Sequence, residues 1–323
     1  MKYSKIIFLL FVCTLLLVSC NEDSKLEKDI AAIDVAVNLE RFDKLFDAST
    51  KDTFPKLKAT YPFIFPSEVP DSIWLAKIND TLQQQLRKAT ITTFKDESEL
   101  TLELTSFFQH LKYYYKTFRE PRIITVTNNV RYRDKVIVAD SIVLIALDTY
   151  LGAEHEFYSN IPNYLKQNFV ASQILVDLST DYAKKYAYQP KKSTLLDEMI
   201  YHGKLLYFNE KMIPFKTDAE KISYTEVELE WAKANESYIW RYFIERELLF
   251  STDYKLPSRF IINAPFSKFY LEEIDNESPG KVGQYIGWQI VRAYMKNNDV
   301  SFQDMMQKPA EEIYNNSNFK PKK

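Results

Sequence analysis

The chain has 323 residues, 46% of them hydrophobic, enough for one large domain or two closely joined ones with a real core. Its 42 basic and 44 acidic residues leave a net charge of −2 without a concentrated basic face, which excludes nucleic acid as an expected partner. Five glycines, none before Gly152, exclude a phosphate-cradling nucleotide loop and favour helices.

In chain order, Lys2 and Lys5 precede an apolar run from Ile6 to Val18, then Ser19, Cys20 and the acidic Asn21-Glu22-Asp23. The run is shorter than the ~20 residues of a comfortable membrane span, so residues 1–19 read as a secretory signal peptide. Leu17-Val18-Ser19-Cys20 resembles the lipobox of bacterial lipoproteins, which implies acylation of the Cys20 thiol and attachment to a membrane through it. Cys13 leaves with the signal peptide, so the mature chain has no thiol for a disulfide, an iron–sulfur site or a cysteine zinc site. Residues 20–28 read as a polar, lipidated tether, and residues 29–314 as one globular domain.

From Ile33 to Phe46 the apolar pattern drifts from alternation to helical spacing, which predicts a strand entering a helix. Tyr61-Pro62-Phe63-Ile64-Phe65-Pro66 is expected to be a non-helical loop. Two amphipathic helices follow over residues 71–90 and 94–117. The period then changes. Arg122–Thr127 and Lys135–Val138 are β-branched runs flanking Asn128-Asn129, a hairpin-like pattern, and Ile142–Leu147 is a third apolar strand. Helices are predicted over 163–187, 194–213, 224–250 and 279–297, and residues 315–323 are expected to fray. This is an α+β fold, predominantly helical, with a small antiparallel or mixed sheet packed on helices.

Three constellations could carry chemistry. In Asp197-Glu198-Met199-Ile200-Tyr201-His202, Glu198 aligns with the general base of a His-Glu-x-x-His zinc helix. Asp197 and Tyr201 then occupy the histidine positions, and His202 lies one residue late, rotated about 100° from the required face. A structural reading explains the same residues: Thr194 as N-cap, Asp197 as the third residue of a near capping box, and two acids suited to the helix dipole. Asp148, Glu154, His155 and Glu156 form a second group able in principle to hold a cation or act as an acid–base pair; a solvated loop is the alternative. Lastly, Ser278-Pro279 reads as a helix start, and Gly283 and Gly287 share a face that lets another helix, such as 194–213, approach closely.

In its whole length the chain resembles the GldB family of gliding-motility lipoproteins of Bacteroidetes. The residues are the lipobox at Cys20, Arg41-Phe42-Asp43, Tyr61–Pro66, Ala146–Gly152 with His155 and Phe157-Tyr158, Asp197–Tyr201 with Gly203, and Pro279-Gly280 through Val291. The resemblance implies a cell-envelope lipoprotein needed for gliding and the associated type IX secretion machinery, with protein components of that apparatus as partners. The helix at 197 and the Pro-Gly/Gly-Trp helix are also similar to predicted zinc proteases with an intact motif, which implies a peptidase-like scaffold without its metal. The leading expectation is therefore a non-catalytic component with no cofactor. The alternative is a metal-dependent hydrolase built on Asp197, Glu198 and His202. A third reading, glycan binding through clustered tyrosines, rests on aromatic content alone.

Overall fold

The computed structural model describes residues 25–190 and 193–322. The expected signal peptide and Cys20 lie outside the described residues. The polar segment expected as a tether is already helical at residues 25–31 (α1). Ile30 of α1 is buried, Glu27 faces His110 at 3.2 Å, and the Gln109 carboxamide donates to the carbonyls of Ala31 and Ile33. A segment that buries an apolar side chain and engages a neighbouring helix is part of the domain.

The expected strand-into-helix is present as β1 (Leu39–Glu40) and α2 (Phe42–Asp47). After α3 (Phe54–Thr60), the proline-punctuated loop contains a 3-10 turn at Pro62–Ile64; proline is tolerated at the first position of a helical turn because no N–H is needed there. The helix expected over 71–90 is two, α4 (Asp71–Asn79) and α5 (Thr81–Thr93). They are divided at Asp80, whose carboxylate accepts from the Gln83 N–H and caps α5. The next helix, α6, spans Ser98–Tyr114.

The sheet corrects the expected hairpin. Strands β2 (Arg122–Val126), β3 (Val136–Val138) and β4 (Ile142–Ala146) give the order β1-β2-β4-β3. β2 runs parallel to both β1 and β4, while β3 pairs antiparallel with β4 only. Asn128-Asn129 is not a hairpin turn because the N–H groups of Asn128 and Val130 are taken by the Asp148 carboxylate. They cannot continue a ladder, and the chain crosses to the far side of β4 before turning back through Ala139-Asp140-Ser141.

Strand alternation divides the core. Ile123, Val143, Ile145 and Val136 face the main core, while Ile124, Leu144 and Val126 face an aromatic cluster of Phe42, Phe46, Phe54, Tyr61 and Phe65. In that cluster Phe42 meets Tyr61 and Phe65 edge-on, as Phe54 does Phe65, at 5.1–5.8 Å, the geometry their quadrupoles favour, while Phe42 stacks on Phe46 at 5.7 Å.

The main core is built around α9 (Leu195–Met212), which packs along α15 (Val282–Asn297). The expected close approach at Gly287 is real: a Cβ there would sit 1.7 Å from the Met199 carbonyl oxygen, and one on Gly203 would sit 2.4 Å from the backbone of Gly287. Ser278-Pro279 does not start the helix. Ser267 donates to the Pro279 carbonyl at 2.7 Å, Gly280 lies against the Ala264 backbone, and Lys281 at φ +62° is the N-cap.

Helix 163–187 resolves into α7 (Asn163–Lys166) and α8 (Ile174–Tyr186). Helix 224–250 becomes α11 (Glu226–Ala234) and α12 (Glu236–Glu245), preceded by α10 (Asp218–Ile222). Short helices α13 (Leu256–Phe260), α14 (Glu272–Glu277), α16 (Phe302–Gln307) and α17 (Ala310–Ser317) complete the fold. The C-terminal residues expected to fray are docked. Ser317 is buried, Phe319 meets Trp240 edge-on at 5.3 Å, and the buried Glu236 carboxylate accepts from the Lys322 N–H at 2.9 Å.

Candidate functional site

The peptidase-like residues sit at the start of α9, and local chemistry explains each. Thr194 and Asp197 form a reciprocal capping box: the Thr194 hydroxyl accepts from the Asp197 N–H, and the Asp197 carboxylate accepts from the Thr194 N–H at 2.8 Å. The Thr194 hydroxyl also lies 2.8 Å from that carboxylate, so Asp197 is spent on the helix end. Glu198 accepts a hydrogen bond from the Ser193 hydroxyl. Tyr201 is partly buried, and burial, with the Glu198 and Asp181 carboxylates nearby, holds its phenol above the ordinary range. Among the described residues no group of three or more His, Cys, Asp or Glu side chains is placed to hold a metal ion.

His202 lies on the next face. Burial, with the Lys184 and Lys281 charges beside it, lowers its pKa from 6.5 to about 4, so the ring is neutral at pH 7. The unfolded chain, with an ordinary histidine, binds a proton more readily than the folded one. Stability is therefore unaffected above pH 6.5 and falls as pH drops from about 6.5 towards 4. Chemical denaturation at pH 7 and pH 4.5 should show a steeper acid loss for the native chain than for His202→Gln; equal losses would contradict the assignment.

The second constellation does not gather. Asp148 is fully buried, and its carboxylate accepts from the N–H of Asn128 at 3.0 Å and of Val130 at 2.8 Å. Desolvation raises its pKa, and those backbone N–H bonds work in the opposite direction. Glu154 is exposed and pairs with Lys166 at 3.0 Å, the His155 ring accepts from the Phe157 N–H, and Glu156 is exposed. The hydroxyl of Tyr158 donates to the Asp148 carbonyl at 2.7 Å and accepts from the Leu151 N–H. Tyr150 donates to Asp177, which also pairs with Lys135 at 2.5 Å. Ala146–Tyr158 is thus a staple that fixes the loop after β2 to the body of the protein.

That loop borders the feature sequence reasoning missed. Asn129 and Val130 have φ of +64° and +56°; for a β-branched valine this is a strained conformation, retained because Asp148 holds it. On one side lies a groove of about 590 Å³, at the carboxyl ends of the parallel strands. On the other is a smaller polar cavity of about 390 Å³ that includes Arg133 and Lys135. Arg41 organises the groove's base. It clasps buried Asp43 with two bonds of 2.8 and 2.6 Å, and reaches the Phe94 carbonyl at 2.6 Å and Glu97 at 2.5 Å. Asp43 also accepts from the Thr125 hydroxyl on β2. Arg41-Phe42-Asp43, Tyr61–Pro66 and Ala146 are visible as family-like segments, but nothing in the sequence brings them together, and Asn128-Asn129 between two β-branched runs reads as a hairpin.

Among the described residues no helix is long and apolar enough to cross a membrane. No curated protein and no solved structure matches the chain. A family model described as gliding motility protein GldB matches residues 23–321, almost everything the structure describes. The chain therefore belongs to the GldB family of gliding motility proteins.

Proposed function

We propose that this chain is a lipid-anchored lipoprotein of the cell envelope, held through Cys20, that serves gliding and the associated type IX secretion machinery as a non-catalytic component or assembly factor. Membership of the GldB family supports the motility role, and Leu17-Val18-Ser19-Cys20 supports the anchor. The observation that carries the non-catalytic part is the use of α9: Asp197 closes the helix cap, Glu198 is bonded to Ser193, and the histidines of the zinc motif are replaced. A general base needs a free carboxylate facing a metal-bound water, and here the first turn serves the fold.

Two substitutions test the reading separately. Cys20→Ser should abolish incorporation of labelled palmitate and release the protein from the membrane fraction; retained label would refute the anchor. Glu198→Gln should leave colony spreading at the native rate, because the amide still accepts from Ser193. Loss of gliding with native protein levels would restore the hydrolase.

A further inference from the structure

Three segments far apart in sequence meet around the 590 Å³ groove: Phe42 and Asp43, the Phe63–Pro66 loop, and the end of β4 at Leu144 and Ala146. The floor is apolar, because the N-terminal aromatic cluster buries Ile124 but leaves Val126 and Leu144 only partly covered. Ile137 on β3 stays 49% exposed and Phe63 42% exposed along the edges. A floor of this kind with polar walls is the usual form of a ligand site.

The polar lining discriminates among occupants. Within the described residues the side chains of Thr127, Gln83 and Asn129 make no hydrogen bond, and the indole N–H of Trp74 on the same wall is buried without an acceptor. A hydrocarbon chain would leave all four unpaired. A peptide backbone, alternating N–H and C=O, can satisfy a carboxamide, a hydroxyl and an indole donor together. The charges also have a sign. Among the described residues Lys77 lies over the Trp74 ring at 4.6 Å with no carboxylate partner, and Arg131 has only the exposed Asp134 at 3.4 Å. Asp43, the buried acid of the lining, is already neutralised by Arg41. The rim therefore favours an anionic group.

We propose that the groove binds an extended peptide segment of a partner protein, which lays an apolar side chain on Phe46 and Leu144 and directs a neighbouring carboxylate to Lys77 and Arg131. This rests on the reading that the protein works through protein contacts, and it names the place and chemistry of one contact. The strained loop at Asn129 and Val130, fixed from behind by Asp148, keeps one wall pre-formed, which lowers the ordering cost of binding.

The test uses the full chain in gliding cells, with p-benzoylphenylalanine replacing Phe63, and replacing the exposed Tyr254 outside the groove as a control. Illumination should give a polypeptide adduct from position 63 and none from 254. Mass spectrometry of that adduct should map it to a segment with an apolar residue beside Asp or Glu. Lys77→Glu combined with Arg131→Glu should reduce the adduct about tenfold, while Lys77→Arg with Arg131→Lys retains it. Leu144→Trp, which fills the floor, should also remove it, with limited proteolysis reporting that each variant is folded. An adduct to lipid alone, no adduct, a captured segment lacking acidic residues, or indifference to the charge reversal would each overturn the proposal. Spreading of Glu198→Gln cells is read independently. If gliding survives that change and no adduct forms, the groove proposal alone fails; if gliding is lost, the non-catalytic reading fails.

Discussion

Gly287→Ala is expected to destabilise the protein by about 3–5 kcal/mol, a large share of the roughly 5–15 kcal/mol that holds a domain together. A methyl group at this position would lie 1.7 Å from the Met199 carbonyl oxygen and 2.3 Å from its carbon. Both obstacles are backbone of α9, so no rotamer change relieves the clash, and the two helices must separate. Separation exposes the apolar surface shared by Met199, Ile200, Ile286 and Ile290, all fully buried. Gly152→Ala is the matched control. Its φ of +111° penalises any side chain, yet nothing lies within 4 Å of the added carbon, so a cost of about 1 kcal/mol is expected. Guanidinium unfolding followed by far-UV circular dichroism measures both, and equal midpoint shifts would refute the close packing of α9 on α15.

Asp148→Ala is expected to cost about 2–4 kcal/mol and to act locally before it acts globally. Removing the carboxylate leaves the N–H groups of Asn128 and Val130 without their acceptor, beside the left-handed backbone of Asn129 and Val130, and the Asn128 carboxamide's bonds to Arg131 and Asp134 are then left to brace the loop. The loop should relax to ordinary backbone angles and lose its wall of the groove. Asp148→Asn keeps one acceptor oxygen and should lose about half as much. Amide hydrogen exchange at residues 128–131 is the direct measurement: protection should drop there in Asp148→Ala while α9 and α15 exchange as before. Unchanged protection in the loop would show that Asp148 is not what holds it.

These two sites also show what the sequence could and could not reveal. The approach at Gly287 was legible because helical spacing is local: two glycines four apart define a face, and the capping box at Thr194 and Asp197 is equally local. The Asp148 staple was not legible. Its partners lie 18 and 20 residues earlier in the chain, and the Asn-Asn signal between two β-branched runs has the local form of a hairpin. Asp148 takes the two N–H groups that follow β2, and it is β4, parallel to β2, that pairs with β3. The divided helices at Asp80 and Asn235 were missed for a related reason, since apolar periodicity continues across a single capping residue. The docking of residues 318–322 depends on Trp240 and Glu236, which no pattern near the C-terminus announces. The candidate site followed the same rule: the degenerate motif at 197–202 was visible as spacing, whereas the groove is assembled from segments about 20 and 80 residues apart.

The helix at residues 25–31 bears on how far the domain can travel. With Ile30 buried and Gln109 gripping Ala31 and Ile33, the described helix starts at Lys25, five residues after Cys20, a stretch of chain that can span at most ~17 Å. If Cys20 carries the proposed acyl anchor, so short a separation would not let the body roam like a buoy on a long line. It would roll against the bilayer within a thin shell, presenting a restricted set of orientations. Any component it meets would have to reach down to that shell, and lengthening residues 21–24 with a flexible insert would change who can be met without altering a single contact in the fold.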